Sequence, residues 1–196
     1  MDSSELVAKL TCSRLPLPVR RDGKIYASDG AMAVAIDDNP SIECGADDHG
    51  ITVVMIRQIL HPTKEYLPLP DMTIPDVEKC KTCDGTGKVH DCPDCPALEH
   101  PDQAFFECRE HCNTCGDAEY LPGDGAGASD CPGCHGCGTS ARLEIVELGR
   151  AYISAFYAEI LNGLSDVEIT SGGPTNVINF RFAGGRGAVM PIRKYP

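Results

Sequence analysis

Hydrophobic and polar positions divide the chain into three stretches of different character. In residues 1–79, helix and strand patterns alternate. A short helix is expected through Glu5-Leu6-Val7-Ala8-Lys9-Leu10, capped by Ser3 or Ser4. Lys24-Ile25-Tyr26-Ala27 and Ala31-Met32-Ala33-Val34-Ala35-Ile36 flank Ser28-Asp29-Gly30, which predicts two strands joined by a tight turn. Residues 50–60 are apolar and read as a strand leading into a helical turn, stopped at His61-Pro62. Leu67-Pro68-Leu69-Pro70 has too much proline for a central strand and reads as an edge or a connection.

The last stretch, 139–196, carries the clearest periodicity. Residues 142–148 alternate with period two, as a half-buried strand does. Across 152–164, Ile153, Phe156, Tyr157, Ile160 and Leu161 fall at helical spacing, with Asn162-Gly163 as the stop. Strands are expected over 166–170, 176–182 and 187–192, with turns at 171–174 and 183–186. The order β-α-β-β-β predicts an α+β domain in which an antiparallel sheet packs on a helix.

The middle stretch, 80–138, follows neither period. It is dense in Gly, Pro and Asp, and it holds ten of the twelve cysteines. Eight of them form Cys-x-x-Cys pairs: Cys80/Cys83, Cys92/Cys95, Cys112/Cys115 and Cys131/Cys134. A tight turn between two such cysteines sets both sulfurs on one edge of a tetrahedron, about 2.3 Å from a shared metal. Eight thiolates supply two complete Zn2+ sites, and a segment with so few large apolar residues needs metal to order it. Redox thiols or an iron–sulfur cluster remain open as alternatives. Cys108 and Cys137 read as spare thiols, and His90, His100, His111 and His135 as surface or supporting residues. Cys12 and Cys44 read as small core residues.

Charge narrows the partner. The net charge is −12, and the middle stretch alone carries eleven acidic against three basic residues. Each zinc bound by four thiolates adds roughly two further negative charges. Phosphates would be repelled, so this arm is expected to engage a protein rather than DNA. Arg14, Arg20, Arg21, Lys24, Arg181, Arg186, Arg193 and Lys194 lie towards the chain ends and would form either a modest positive face or an ordinary solvated surface. No apolar run approaches the roughly twenty residues of a membrane span. Met1-Asp2-Ser3-Ser4-Glu5 has neither the basic start nor the apolar core of a secretory signal. A cytoplasmic, reducing compartment is therefore expected, where thiols stay available to metal. No enzymatic motif emerges. Cys131 follows Asp130 rather than Pro, no His-x-Glu precedes it as in zinc deaminases, and Asp124-Gly125-Ala126-Gly127 lacks the Gly-Lys-Thr of a phosphate loop.

Two resemblances extend this reading. Gly187-Ala188-Val189-Met190-Pro191-Ile192-Arg193 closes the β-α-β-β-β unit as in DNA sliding clamps, and Tyr26-Ala27-Ser28-Asp29-Gly30-Ala31-Met32-Ala33-Val34 is similar to a clamp hairpin. Residues 1–79 and 139–196 together resemble one clamp domain, which implies a role in DNA replication or repair. A ring like those of the clamp family would then require self-association. Residues 80–138 resemble the cysteine-rich zinc module of DnaJ-type co-chaperones. Cys80-Lys81-Thr82-Cys83-Asp84-Gly85-Thr86-Gly87 and Cys131-Pro132-Gly133-Cys134-His135-Gly136-Cys137-Gly138 both fit its repeat, whereas the middle pairs lack the trailing glycines. The resemblance implies one zinc on Cys80, Cys83, Cys131 and Cys134, and another on Cys92, Cys95, Cys112 and Cys115. It covers no J domain. The expected function is a non-enzymatic binding protein in the style of a phage or mobile element; a chaperone-like or thiol-active module and a zinc-dependent enzyme are the alternatives.

Overall fold

The computed structural model describes residues 1–11, 17–45, 65–93, 114, 120–170, 173 and 176–193. In chain order, the regular elements are α1 (Ser3–Leu10), β1 (Val19–Arg21), β2 (Lys24–Ser28), β3 (Met32–Asp37), β4 (Tyr66–Pro68), β5 (Lys88–Asp91), β6 (Tyr120–Pro122) and β7 (Ser129–Asp130). There follow β8 (Ile145–Leu148), β9 (Ala151–Ser154), α2 (Ala155–Gly163), β10 (Glu168–Thr170), β11 (Ile178–Phe182) and β12 (Gly185–Val189). The chain separates into two compact units, one made of Met1–Asp76 with Arg142–Pro196, the other of Val77–Ala141.

The first unit is an α+β body built on a seven-stranded sheet in the order β1-β2-β3-β12-β11-β10-β4. All its strand pairs are antiparallel. The order has an internal symmetry: one helix and three strands (α1, β1–β3) face a second helix and three strands (α2, β10–β12), and the halves meet where β3 pairs with β12. Register places Ile25, Met32, Val34, Ile36, Ile178, Phe180 and Val189 on one face, each at most 1% exposed. On α1, Leu6 and Leu10 stand one turn apart and are fully buried against β2 and β3. Gly187 is forced by this packing: a Cβ there would lie 2.3 Å from Phe180 Cζ and 2.6 Å from the Ala33 carbonyl. The opposite face buries Tyr26 with Ala33, Ala35 and Ala188.

Several expected boundaries move, each for a local reason. Helix α1 is capped by Asp2 rather than Ser3 or Ser4, since Asp2 Oδ1 accepts the Glu5 N–H at 2.8 Å, the N-cap to N3 geometry. The strand expected over 142–148 begins only at Ile145, because residues 140–142 form a 3-10 turn. The helix expected from 152 begins at Ala155. Tyr152 and Ile153 instead pair with Glu147 and Val146, folded back by a turn in which Gly149 adopts φ 66°. Strand β12 starts at Gly185 because Ala183-Gly184 suffices as a two-residue turn, with Gly184 at φ 92°. The proline-rich segment gives β4, at one end of the sheet. Cys44 is half-buried, with its thiol 3.6 Å from the Ile42 carbonyl, rather than a core residue. The reading of residues 50–62, Cys12, Arg14 and Lys194 lies outside the described residues.

One buried polar node secures the return of the chain into this unit. Arg142 Nη1 donates to Asp29 Oδ2 and to the Tyr157 hydroxyl, both at 2.8 Å, and Tyr157 donates to Asp29 Oδ2 at 2.6 Å. Asp29 Oδ1 takes the Ala31 and Met32 amides, so the carboxylate also builds its own turn. The guanidinium lies 4.0 Å over the Phe156 ring. Burial, and then the Asp29 carboxylate, raise the Tyr157 phenol above its ordinary 10.0, which keeps it a donor. The Asp29 side chain is 2% exposed, so removing its cation strands a buried charge. Arg142→Ala should therefore cost about 3–5 kcal/mol in urea unfolding. Tyr157→Phe, which leaves the ion pair intact, should cost only about 1–2 kcal/mol.

Candidate metal centre

The second unit carries two copies of one local structure, related by a pseudo-two-fold. Counterpart residues are 51 positions apart, as are the facing sulfurs of Cys80/Cys131 and Cys83/Cys134. In each copy the fifth residue after the first cysteine of a pair donates back to that cysteine's carbonyl: Gly85 to Cys80 at 3.2 Å, Gly136 to Cys131 at 3.3 Å. Asp84 and His135 then take φ 48° and 52°, Gly85 and Gly136 φ 84° and 82°, and Gly87 and Gly138 φ 75° and 78°. Successive left-handed residues turn the chain over the sulfurs, which glycine does without strain.

The copies interlock reciprocally. The Cys80 amide donates to the Gly138 carbonyl at 2.9 Å, and the Cys131 amide to the Gly87 carbonyl at 2.8 Å. A Cβ on Gly87 would lie 2.3 Å from the Gly136 carbonyl oxygen, and one on Gly138 2.5 Å from that of Gly85. Lys79 bridges Thr139, and the symmetry-related bridge joins Lys88 to Asp130, where β5 pairs with β7 and an ion pair spans 2.6 Å.

This arrangement brings Cys80, Cys83, Cys131 and Cys134 together, with all four sulfurs within 4.8 Å of one another. Cys80 and Cys131 stand 3.8 Å apart, and Cys83 and Cys134 3.7 Å apart. Four ligands at about 2.3 Å from a zinc define a tetrahedron with edges of about 3.8 Å, so the sulfurs are spaced for one ion. A disulfide needs about 2.05 Å. Each sulfur is at most 9% exposed. The Gly87 amide donates to Cys83 Sγ and the Gly138 amide to Cys134 Sγ, both at 3.2 Å. Such donors stabilise thiolates from outside the coordination sphere. Four protein sulfurs leave no coordination position for substrate or water.

The electrostatics call for a cation. At Cys80 burial pushes the thiol up, but the Cys83 and Thr82 amides, helped by the neighbouring thiols, outweigh it and bring it from 9.0 to about 7. Burial holds the Cys134 thiol well above its ordinary range, and the thiols of Cys83, Cys131 and Cys80 push it further the same way. Burial likewise raises Cys131, with Cys80 adding to the rise. Cys80 is thus biased towards the thiolate while Cys131 and Cys134 are biased towards the thiol, a bias that a dication among the sulfurs would reverse.

The remaining candidates divide as follows. Cys137 occupies the place that Thr86 holds in the other copy. Thr86 Oγ1 donates to the Cys83 and Lys88 carbonyls at 2.8 and 2.9 Å, and Cys137 Sγ to those of Cys134 and Thr139 at 3.0 and 3.3 Å. It is a turn-supporting thiol outside the four-sulfur group. Cys92 is buried just beyond β5; Cys95, Cys108, Cys112, Cys115, His100 and His111 lie outside the described residues. His90, on β5, packs over Gly123 and Gly125, and His135 is exposed at its turn. Among the described residues, no other group of three or more potential ligands converges. The interlocking Lys79/Thr139 and Lys88/Asp130 bridges were not anticipated, although the repeat spacing of 51 would have pointed to them.

Comparison with protein-family models, with curated proteins and with solved structures gave no match to this chain. No described helix is long and apolar enough to cross a membrane.

Two outcomes follow from this geometry. Cys137→Thr should keep the metal content and shift stability by less than about 0.5 kcal/mol, whereas Cys134→Ser should lose the ion, as read by native mass spectrometry. Zinc uptake must displace protons from Cys131 and Cys134 at any neutral pH, and from Cys80 as well once the pH falls below its depressed value. Calorimetry in buffers of different ionisation enthalpy should show proton release rising, and affinity falling, from about pH 8 to about pH 6.

Proposed function

We propose that this chain is a non-enzymatic binding protein, a clamp-like α+β scaffold bearing a two-zinc, DnaJ-type arm that engages a protein partner. The observation that carries the proposal is the spacing of the Cys80, Cys83, Cys131 and Cys134 sulfurs, closed on all sides and capped by amides. Cys80, Cys83, Cys131 and Cys134 would hold one Zn2+, which would supply structural cross-linking. Cys92, Cys95, Cys112 and Cys115 would hold the second. A closed, buried thiolate set weighs against a catalytic zinc and against a thiol-active module. The free thiols fit a reducing, cytoplasmic setting.

The clamp-like part of the reading is supported by the two helix-plus-three-strand halves that meet at β3 and β12. A place in DNA replication or repair follows from that likeness. Direct contact with DNA has weak physical support. Arg20 is held by Asp38 at 2.7 Å, Arg21 by Asp22 at 3.6 Å, Lys24 by Asp37 and Arg181 by Glu168. Cations already neutralised by carboxylates release few counterions on meeting phosphate. On the exposed faces of the helices, Glu5 and Glu159 outnumber Lys9. A protein partner for the acidic arm is the better fit.

Self-association is the open structural variable of a clamp-like protein, and the sheet ends bear on it. Beside β1, the backbone already bridges Gly45, and Arg20 reaches over to the Asn39 and Ile42 carbonyls. At the other end β4 is three residues long and includes Pro68, which has no N–H to offer. Native mass spectrometry with metal retained should give a monomer holding two zinc ions, and alkylation should leave the eight cysteines of the Cys-x-x-Cys pairs unmodified until the metal is removed. Rapid alkylation of those eight in the zinc-bound protein would favour the thiol-active alternative, and a closed ring would restore DNA encirclement.

A further inference from the structure

We infer that metal at Cys80, Cys83, Cys131 and Cys134 controls the stability of the sheet unit, which contributes none of these ligands. The inference rests on the zinc reading above and extends it to the other half of the molecule. The sheet unit is discontinuous: its two segments end at Asp76 and resume at Arg142. Its central pairing, β3 with β12, joins strands from opposite sides of that interruption. Folding this unit therefore requires closing whatever lies between Asp76 and Arg142.

With metal bound, that closure is already made. The ligands Cys80 and Cys134 stand at the base of a stem in which Cys80 donates to Gly138, Lys79 bridges Thr139, the Ser140 amide donates to the Glu78 carbonyl at 2.8 Å and the Glu78 amide to Ser140 Oγ at 3.1 Å. Beyond the stem comes Ala141, and then Arg142, whose side chain enters the buried node with Asp29 and Tyr157. Without metal, the same interval is an unstructured loop of about 65 residues rather than about four effective ones. Closure probability falls as roughly the three-halves power of loop length, so the folding equilibrium of the sheet unit should drop on the order of fifty-fold. The metal acts on the sheet through chain entropy.

The test is hydrogen exchange of the intact protein across a urea series, with zinc bound, after chelation, and after Zn2+ is added back, with the ion count read by native mass spectrometry on the same samples. Protection of the β3 and β12 amides should be lost at lower urea after chelation, by an amount equivalent to roughly fifty-fold in the equilibrium, and should return with Zn2+. Cys134→Ser should show the lowered midpoint even in the presence of Zn2+. If the protein binds zinc and the β3 and β12 midpoint is the same with and without it, this inference is overturned and the zinc reading stands. If no zinc is bound, both are overturned.

Discussion

Four sulfur atoms confined to a space of one tetrahedron cannot all carry charge without a cation among them. That constraint bears on the Val77–Ala141 unit, where the four sulfurs come from positions 51 apart and the buried cluster around them is small among the described residues. The buried residues of this cluster are Val89 and the four cysteines themselves, with Tyr120 and Cys137 packed against them. Burying the Val89 side chain contributes on the order of 1.5–3 kcal/mol. A metal held by these sulfurs would add to that, and amides aimed at two of them would lower the cost of holding them ionised.

The two-fold relation inside this unit is an economical way to meet the constraint. A single Cys-x-x-Cys-x-Gly-x-Gly turn leaves its first cysteine amide and its last glycine carbonyl unpaired. Two such turns face to face satisfy each other, Cys80 with Gly138 and Cys131 with Gly87. The glycines are then required twice over, once for their left-handed φ and once because the partner's carbonyl fills the space of a side chain. The substitution of Cys137 for the threonine of the other copy is tolerated because both side chains donate to equivalent carbonyls.

Legibility in the sequence followed the range of the interactions. The cysteine turns were readable because their geometry is set within eight residues, and so were the β2–β3 hairpin and the three strands after α2. The Tyr152-Ile153 segment was misassigned to a helix, since its apolar spacing continues that of α2 and only the Gly149 turn returns it to β8. The Arg142–Asp29–Tyr157 node was invisible: its members are 113 and 128 residues apart, and an arginine before an alternating strand carries no sign of burial. The paired charges on the sheet behaved likewise. Eight basic residues near the chain ends left a positive face and an ordinary solvated surface equally open, and four of those described, Arg20, Arg21, Lys24 and Arg181, meet a carboxylate at distances that composition cannot reveal. The repeated halves of the sheet share a topology rather than residues, so only the clamp resemblance of the β2–β3 hairpin and of the β-α-β-β-β unit pointed to them.

The two units follow opposite stability strategies joined in one polypeptide. The sheet is held by apolar burial over strands that are distant in sequence, a design penalised by every residue of unordered chain placed between them. In the Val77–Ala141 unit the described cysteine turns are held by reciprocal hydrogen bonds around four converging sulfurs. Placing the second inside the first makes sense only if the insert's ends are fixed together, and here the stem at Glu78/Ser140 does so directly beneath the ligands Cys80 and Cys134. An insert not closed at its base would add its full length to the loop that folding of the sheet must close.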